Sequence, residues 1–121
     1  MSAPTPKDKL LSTVGLCARA RKLTVGTPMV CEALRKGGKY PPLAVLEASD
    51  TSDNTHARLT SKCAFYRTPL YRLPVSTDEL GHAVGKSGLV AAVAVTDPQL
   101  LRALVPYLPA AETVPETEQE P

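Results

Sequence analysis

The 121-residue chain has no tryptophan and a single phenylalanine, Phe65, beside four tyrosines. A core so poor in large rings must be built from leucine, valine and alanine, which suits helices packed on a small sheet. No apolar stretch approaches the ~20 residues a membrane-spanning helix needs, and Met1 to Lys7 places no apolar run behind a basic start. Neither a membrane anchor nor a secretory signal is expected, so the chain reads as cytoplasmic. Cysteine is scarce as well. Cys17, Cys31 and Cys63 are odd in number, far apart and without a Cys-x-x-Cys pair. That pattern argues against a disulfide framework or a zinc site and predicts buried, reduced thiols.

Catalytic patterns are also missing. His56 and His82 lie on either side of an expected strand with no evident carboxylate or cysteine partner, and both read as exposed helix residues. Asp50 and Asp53 could be paired acids, but such residues just before a helix most often cap it. Gly85-Lys86-Ser87-Gly88 lacks the long glycine spacing and the Gly-Lys-Ser/Thr helix start of a phosphate-cradling Walker loop. No catalytic residue, metal, cofactor or small-molecule substrate is expected.

What the chain does have is hidden positive charge. Its net +2 includes a carboxyl-terminal stretch, 106–121, with four glutamates (112, 116, 118 and 120) and no lysine or arginine. Without that stretch, 14 basic residues face 8 acidic ones, an excess of +6 that should attract polyanions. The repeated prolines and like charges of 106–121 predict a disordered acidic tail, and 1–5 is expected to be disordered too. The domain is expected over 6–105.

Apolar spacing divides that domain. Thr5-Pro6 looks like a cap followed by proline at the first helical position, and Leu10, Val14 and Ala18 then form one stripe of a helix to about Arg21. Leu23-Thr24-Val25 reads as a strand, Gly26 as a break, and Thr27-Pro28 as the start of a second helix ending at Gly37-Gly38. Leu43 to Leu46 is a second strand, Glu47 to Ser52 a loop, and Asp53 to Tyr66 a third helix. Leu70 to Leu73 is a third strand, and Ser76-Thr77-Asp78-Glu79 matches a capping box for a fourth helix. After the loop 85–88, Leu89 to Val95 reads as a fourth strand and Asp97-Pro98 opens a last helix through Leu104. Such alternation predicts an α/β fold, a three-layer α-β-α sandwich with helices on both faces of a four-stranded sheet.

Several stretches in this order carry a resemblance. They are Gly15-Leu16-Cys17-Ala18-Arg19-Ala20-Arg21-Lys22-Leu23 with Gly26, Ala48 to Thr55, Lys62-Cys63 with Tyr66 and Pro69, Glu79 to Lys86, and Ala92 to Asp97. Together they resemble the ribosomal-protein superfamily called L-seven-Ae, and within it the small bacterial YlxQ-like proteins, over about residues 7–105. The resemblance implies a mixed sheet and an RNA-binding surface made by the start of helix two and the loop before the last strand. Many members bind kink-turns, bent RNA helices with tandem sheared G·A pairs. Those members carry Gly-x-Asn-Glu-x-x-Lys where this chain reads Gly26-Thr27-Pro28-Met29-Val30-Cys31-Glu32, so only the glycine matches. Pro28 and Met29 supply no amide side chain, and Glu32 reverses the charge of the lysine.

The expected RNA-contacting set is therefore Lys22, Gly26, Thr27, Pro28, Met29, Glu32, Arg35, Lys86, Ser87, Gly88, Leu89 and Val90. Gly26-Thr27 offers free amides at a helix start, which could seat a phosphate or could be an ordinary strand-to-helix turn. Arg19, Arg21, Lys22, Arg35, Lys36 and Lys39 sit at helix ends, where they could form an RNA patch or simply complement helix dipoles. Tyr40, Tyr66 and Tyr71 could stack on bases, and amphipathic packing explains them equally well. The partner expected is structured RNA, ribosomal or another stable non-coding RNA, bound by a monomer. The rival expectation is an interaction module of the ribosome or RNA-processing machinery that has lost kink-turn readout.

Overall fold

Thr5 starts the first helix by exchange: its hydroxyl accepts the Asp8 N–H and the Asp8 carboxylate accepts the Thr5 N–H, each at 3.1 Å. With Pro6 pre-set for helical geometry, this capping box opens α1 (Pro6–Arg19). The computed structural model describes residues 3–112, and in it the order continues β1 (Leu23–Val25), α2 (Thr27–Lys36), β2 (Ala44–Glu47), α3 (Asp53–Phe65) and β3 (Leu70–Arg72). It closes with α4 (Thr77–Ala83), β4 (Ala92–Val95) and α5 (Pro98–Leu104). Ser76 and Glu79 form the capping box of α4 that their spacing predicts.

The strands form one mixed sheet in the order β1-β4-β2-β3, antiparallel except for the parallel pair β2 and β3. Period-two alternation sorts each strand between two cores. Val93 and Val95 of β4 join Leu46 under α1, α4 and α5, where Leu10, Val14, Leu80 and Leu104 are buried. Ala92 and Ala94 face the other way with Val45 and Leu70, beneath Val30 and Leu34 of α2 and Leu59 of α3. Small alanines on that face let two helices approach the sheet closely. The three-layer sandwich is as its alternation predicts, and all three cysteines are buried free thiols.

Register fixes two ends of the sheet. Val25, Ala92, Glu47 and Arg72 lie at one, where α2, α3 and α4 begin, and Leu23, Val95, Ala44 and Leu70 lie at the other, where α1, α2 and α3 deliver the chain. At that second end α1 and α3 close alike. Lys22 N–H returns to the Cys17 carbonyl and Arg21 N–H to that of Ala18, and Thr68 and Arg67 repeat the pairing on Cys63 and Ala64. This Schellman ending puts Arg21 (φ 61) and Arg67 (φ 57) in the left-handed region. Glycine takes that conformation freely, whereas a side chain there costs about 1 kcal/mol.

Several boundaries differ from expectation. β2 is displaced by one residue, leaving out Leu43 and taking in Glu47, β3 ends at Arg72 before Leu73, and Leu89 to Ala91 stay outside β4. Order also passes residue 105. Val105–Tyr107 form a 3-10 helix, Tyr107 and Leu108 pack on the α1 core, and the Glu112 N–H reaches the Leu70 carbonyl at 2.6 Å. Two apolar anchors outweigh the prolines there, so 106–112 is placed rather than disordered. At the other terminus Thr5 is fixed as a cap. The remaining parts of both expected disordered segments, 1–2 and 113–121, lie outside the described residues.

Candidate nucleic-acid interface

Gly26 ends β1 and caps α2 with φ 97 and ψ 140, a conformation essentially reserved for glycine. Its N–H is held by the Ala92 carbonyl at 2.9 Å and its own carbonyl accepts from Val30 at 2.9 Å, so the turn is clamped to the start of β4. No side chain caps α2, and no acid lies in its first turn. By contrast, α1, α3 and α4 each have a side-chain cap and an acid there, and α5 is capped by the Asp97 carboxylate. The helix start at Gly26-Thr27-Pro28 is thus the one left with open amides and an uncompensated positive dipole end among the described α-helices.

The last residues before β4 come to the same place. From the end of α4 the chain turns at Gly85 (φ 77), and Lys86 N–H bonds back to the Gly81 carbonyl at 2.9 Å. Gly88 then lies with its carbonyl against Gly81, where any side-chain carbon would collide with it. Val90 N–H closes on the Thr77 carbonyl at 3.1 Å and Ala91 accepts from Ala48 at 2.8 Å, which delivers the chain to Ala92 beside Gly26. Lys86, Ser87, Gly88 and Leu89 are exposed, Leu89 by 72%. Pro28 and Met29 are exposed on the neighbouring helix start, Met29 by 58%.

Other expected members are elsewhere. Val90 is only 6% exposed and turns into the α1 core, so its side chain does not face a ligand. Lys22 precedes β1 at the far end, four extended residues or about 13 Å from Gly26. Its ammonium stands 5.8 Å from the centre of the Tyr40 ring. Arg35 belongs to the last turn of α2, also away from Gly26. Glu32 is tied to Arg35 at 2.6 Å and Lys36 at 3.7 Å, and the Arg35 hydrogen bond holds its carboxyl below the usual carboxylate range. Its negative charge is spent within the helix rather than offered to a base.

One functional-looking cluster was not foreseen. Glu47 is wholly buried at the end of β2 and hydrogen-bonds His56, whose Nδ1 lies 2.8 Å from Oε1 and 3.0 Å from Oε2, while the Thr51 hydroxyl donates to Oε2. This corrects the reading of His56 as exposed and without a carboxylate. The apolar run ends at Leu46, which predicts a loop at Glu47, but as a strand residue two places after Val45 it points into the same core. Parity gives that face only once the register with Ala92 and Arg72 places Glu47 in the strand. Asp50 also differs in detail, accepting from the Thr77 N–H at 2.7 Å and so bracing the start of α4 rather than α3, which Ser52 caps. No group of three or more metal-ligating side chains occurs among the described residues.

A family model described as "Ribosomal protein L7Ae/L30e/S12e/Gadd45 family" matches residues 8–105, nearly the whole of this sandwich. The chain belongs to that family. Within it, the chain is 36% identical over 95 residues to "RNA-binding protein YlxQ" of Bacillus subtilis (strain 168), covering 78% of this chain and 90% of that one. Among solved structures, a protein of unknown function from Bacillus halodurans C superposes with a TM-score of 0.71 at 32% identity, covering 82% of this chain and 95% of that one. The Giardia lamblia 15.5kD RNA binding protein superposes with a TM-score of 0.67 at 17% identity, with 88% of each chain covered, and shows the shared fold. As a YlxQ-like member of the family, the chain keeps the glycine at the α2 start and departs from Asn-Glu-x-x-Lys after it.

Proposed function

We propose that this chain is a non-catalytic RNA-binding protein that seats the backbone of a structured RNA, in the ribosome or another ribonucleoprotein, on the edge between the α2 start and residues 85–89. The observation that carries this reading is that α2 alone among the described α-helices begins with neither a side-chain cap nor an acid, with the start of β4 clamped beside it through Gly26 and Ala92. Open amides and a positive dipole end suit a phosphate oxygen. A relative named for RNA binding, 36% identical, supports the same partner. With Pro28 and Met29 in place of Asn-Glu, backbone contacts rather than base hydrogen bonds supply the affinity, and the exposed Met29 and Leu89 offer an apolar seat for an unstacked base. The protein acts as a cytoplasmic monomer on this reading; no described helix is long and apolar enough to cross a membrane.

Fluorescence anisotropy with a kink-turn hairpin and a plain hairpin, each at several salt concentrations, tests the proposal. Binding of both, with the salt slope falling by about 1 in Lys86→Ala, is the expected outcome. An unchanged slope would remove the loop from the interface. The exposed Met29 and Leu89 also favour a second reading, a protein-docking module, which predicts ribosome association that survives ribonuclease.

A further inference from the structure

The cations of this protein do not gather where α2 opens. Asp50, Asp53, Asp78 and Glu79 occupy the starts of α3 and α4 at that end, whereas Arg21, Lys22, Lys39 and Arg67 lie in the connectors at the opposite end of the sheet. All four are exposed, and none makes a side-chain hydrogen bond or an ion pair among the described residues. Tyr40 stands among them, 66% exposed, with the Lys22 ammonium 5.8 Å and the Lys39 ammonium 5.6 Å from its ring centre.

Helix dipoles explain only part of this set. Arg21, Lys22 and Arg67 adjoin the carbonyl ends of α1 and α3, but Lys39 stands three residues past the end of α2. Backbone preference points the same way, since Arg21 and Arg67 hold left-handed positions that glycine would fill with less strain. They precede β1 and β3, the two edge strands, and so frame that end across three strand spacings, about 14 Å. That width spans more than one phosphate of an extended strand. Two lysines lie over an exposed ring, and a base that displaces one of them from the ring face leaves it free for a phosphate, which supplies the two contacts single-stranded nucleic acid uses.

We propose that this far end is a second RNA-contacting surface, on which Arg21, Lys22, Lys39 and Arg67 neutralise backbone phosphates and the Tyr40 ring stacks on an unpaired base. The inference rests on the RNA-binding reading and adds to it: the Gly26 edge seats the structured part of the RNA, and the far end takes a single-stranded extension.

The test uses the full chain with a hairpin RNA and the same hairpin carrying a single-stranded extension. Wild type should bind the extended hairpin more tightly, and Tyr40→Ala should cost about tenfold on that probe alone, the loss expected for one base–aromatic stack. Lys22→Ala/Lys39→Ala should lower its salt slope by about 1.4. Arg21→Gly/Arg67→Gly should weaken binding while raising the melting temperature, which separates lost contact from lost folding. If wild type binds both hairpins and these variants bind like it, while Lys86→Ala is weakened, the far-end surface is refuted and the Gly26 edge stands. Failure of wild type to bind either probe overturns both. Ribosome association that needs Lys22 and Lys39 yet survives ribonuclease would reassign the surface to an acidic protein and overturn the RNA assignment.

Discussion

Deleting the His56 imidazole leaves the buried Glu47 carboxylate with the Thr51 hydroxyl as its remaining side-chain partner among the described residues. Leaving a buried polar group without its hydrogen-bond partner commonly costs about 1–3 kcal/mol, and more for a charged one, because the interior solvates it poorly. Here the His56 side chain is 29% exposed, so water enters the space it vacates and reaches one side of the carboxylate. The expected loss for His56→Ala is therefore about 2–3 kcal/mol, or roughly 10–20 °C in Tm for a domain of this size. Glu47→Gln keeps the shape and one acceptor oxygen but puts a donor amide where the second oxygen accepts, and should cost about 1–2 kcal/mol. Glu47→Leu/His56→Leu, which deletes both polar partners together, should recover most of the His56→Ala loss. Urea unfolding of the parent and the three variants, followed by circular dichroism, gives the differences directly. The reasoning fails if His56→Ala lies within about 0.5 kcal/mol of the parent, or if the double leucine variant is less stable than His56→Ala.

Three further outcomes follow from particular contacts. Gly81→Ala gains helix propensity of about 1 kcal/mol but drives a methyl into the Gly88 carbonyl, and overpacking of about 2–3 kcal/mol should win, giving a lower Tm and altered amide shifts over 85–90 in NMR spectra. Burial, with Cys31 and Glu47 nearby, pushes the Cys63 thiol up to about 12, so native protein at pH 8 should resist iodoacetamide at that residue and label it only in urea, as mass spectrometry would show. The Lys7 ammonium at 2.7 Å and the Ser76 N–H hold the Glu79 carboxyl below its ordinary value; its stabilisation is complete above about pH 4.5 and is lost as pH falls through the lowered folded value, so Glu79→Gln should flatten the acid limb of Tm against pH and leave the neutral region less stable.

Elements were readable where local chemistry and packing agreed. Thr5 and Asp8, Ser76 and Glu79, and the proline after Thr5, Thr27 and Asp97 mark helix starts whose hydrogen bonds are short in sequence, so periodicity and caps were enough. Glu47 was not readable, because its place on β2 depends on pairing with Ala92 and Arg72, contacts far away along the chain. An acidic residue after an apolar run looks like the run's end; only the sheet register shows it is still inside. The same limit scattered the expected site. Lys22 and Gly26 are close in sequence, yet a strand stretches between them and carries them to opposite ends of the sheet, while Gly26 meets Ala92 through a ladder no local pattern announces.

The sheet's polarity links that scattering to function. Every helix from α2 to α4 starts at one end, so helix N-termini converge there; α1, α2 and α3 finish at the other, where the Arg21, Lys22, Lys39 and Arg67 connectors lie. The acids at the starts of α3 and α4 quench two of three convergent dipoles and leave α2 as the single open seat, a site suited to one placed phosphate rather than a broad positive field. On the proposed reading, the absence of Asn-Glu-x-x-Lys leaves that seat its open amides without base-reading side chains. On that reading such a chain draws orientation and affinity from elsewhere on its surface, and the exposed cations around Tyr40 are placed to provide both.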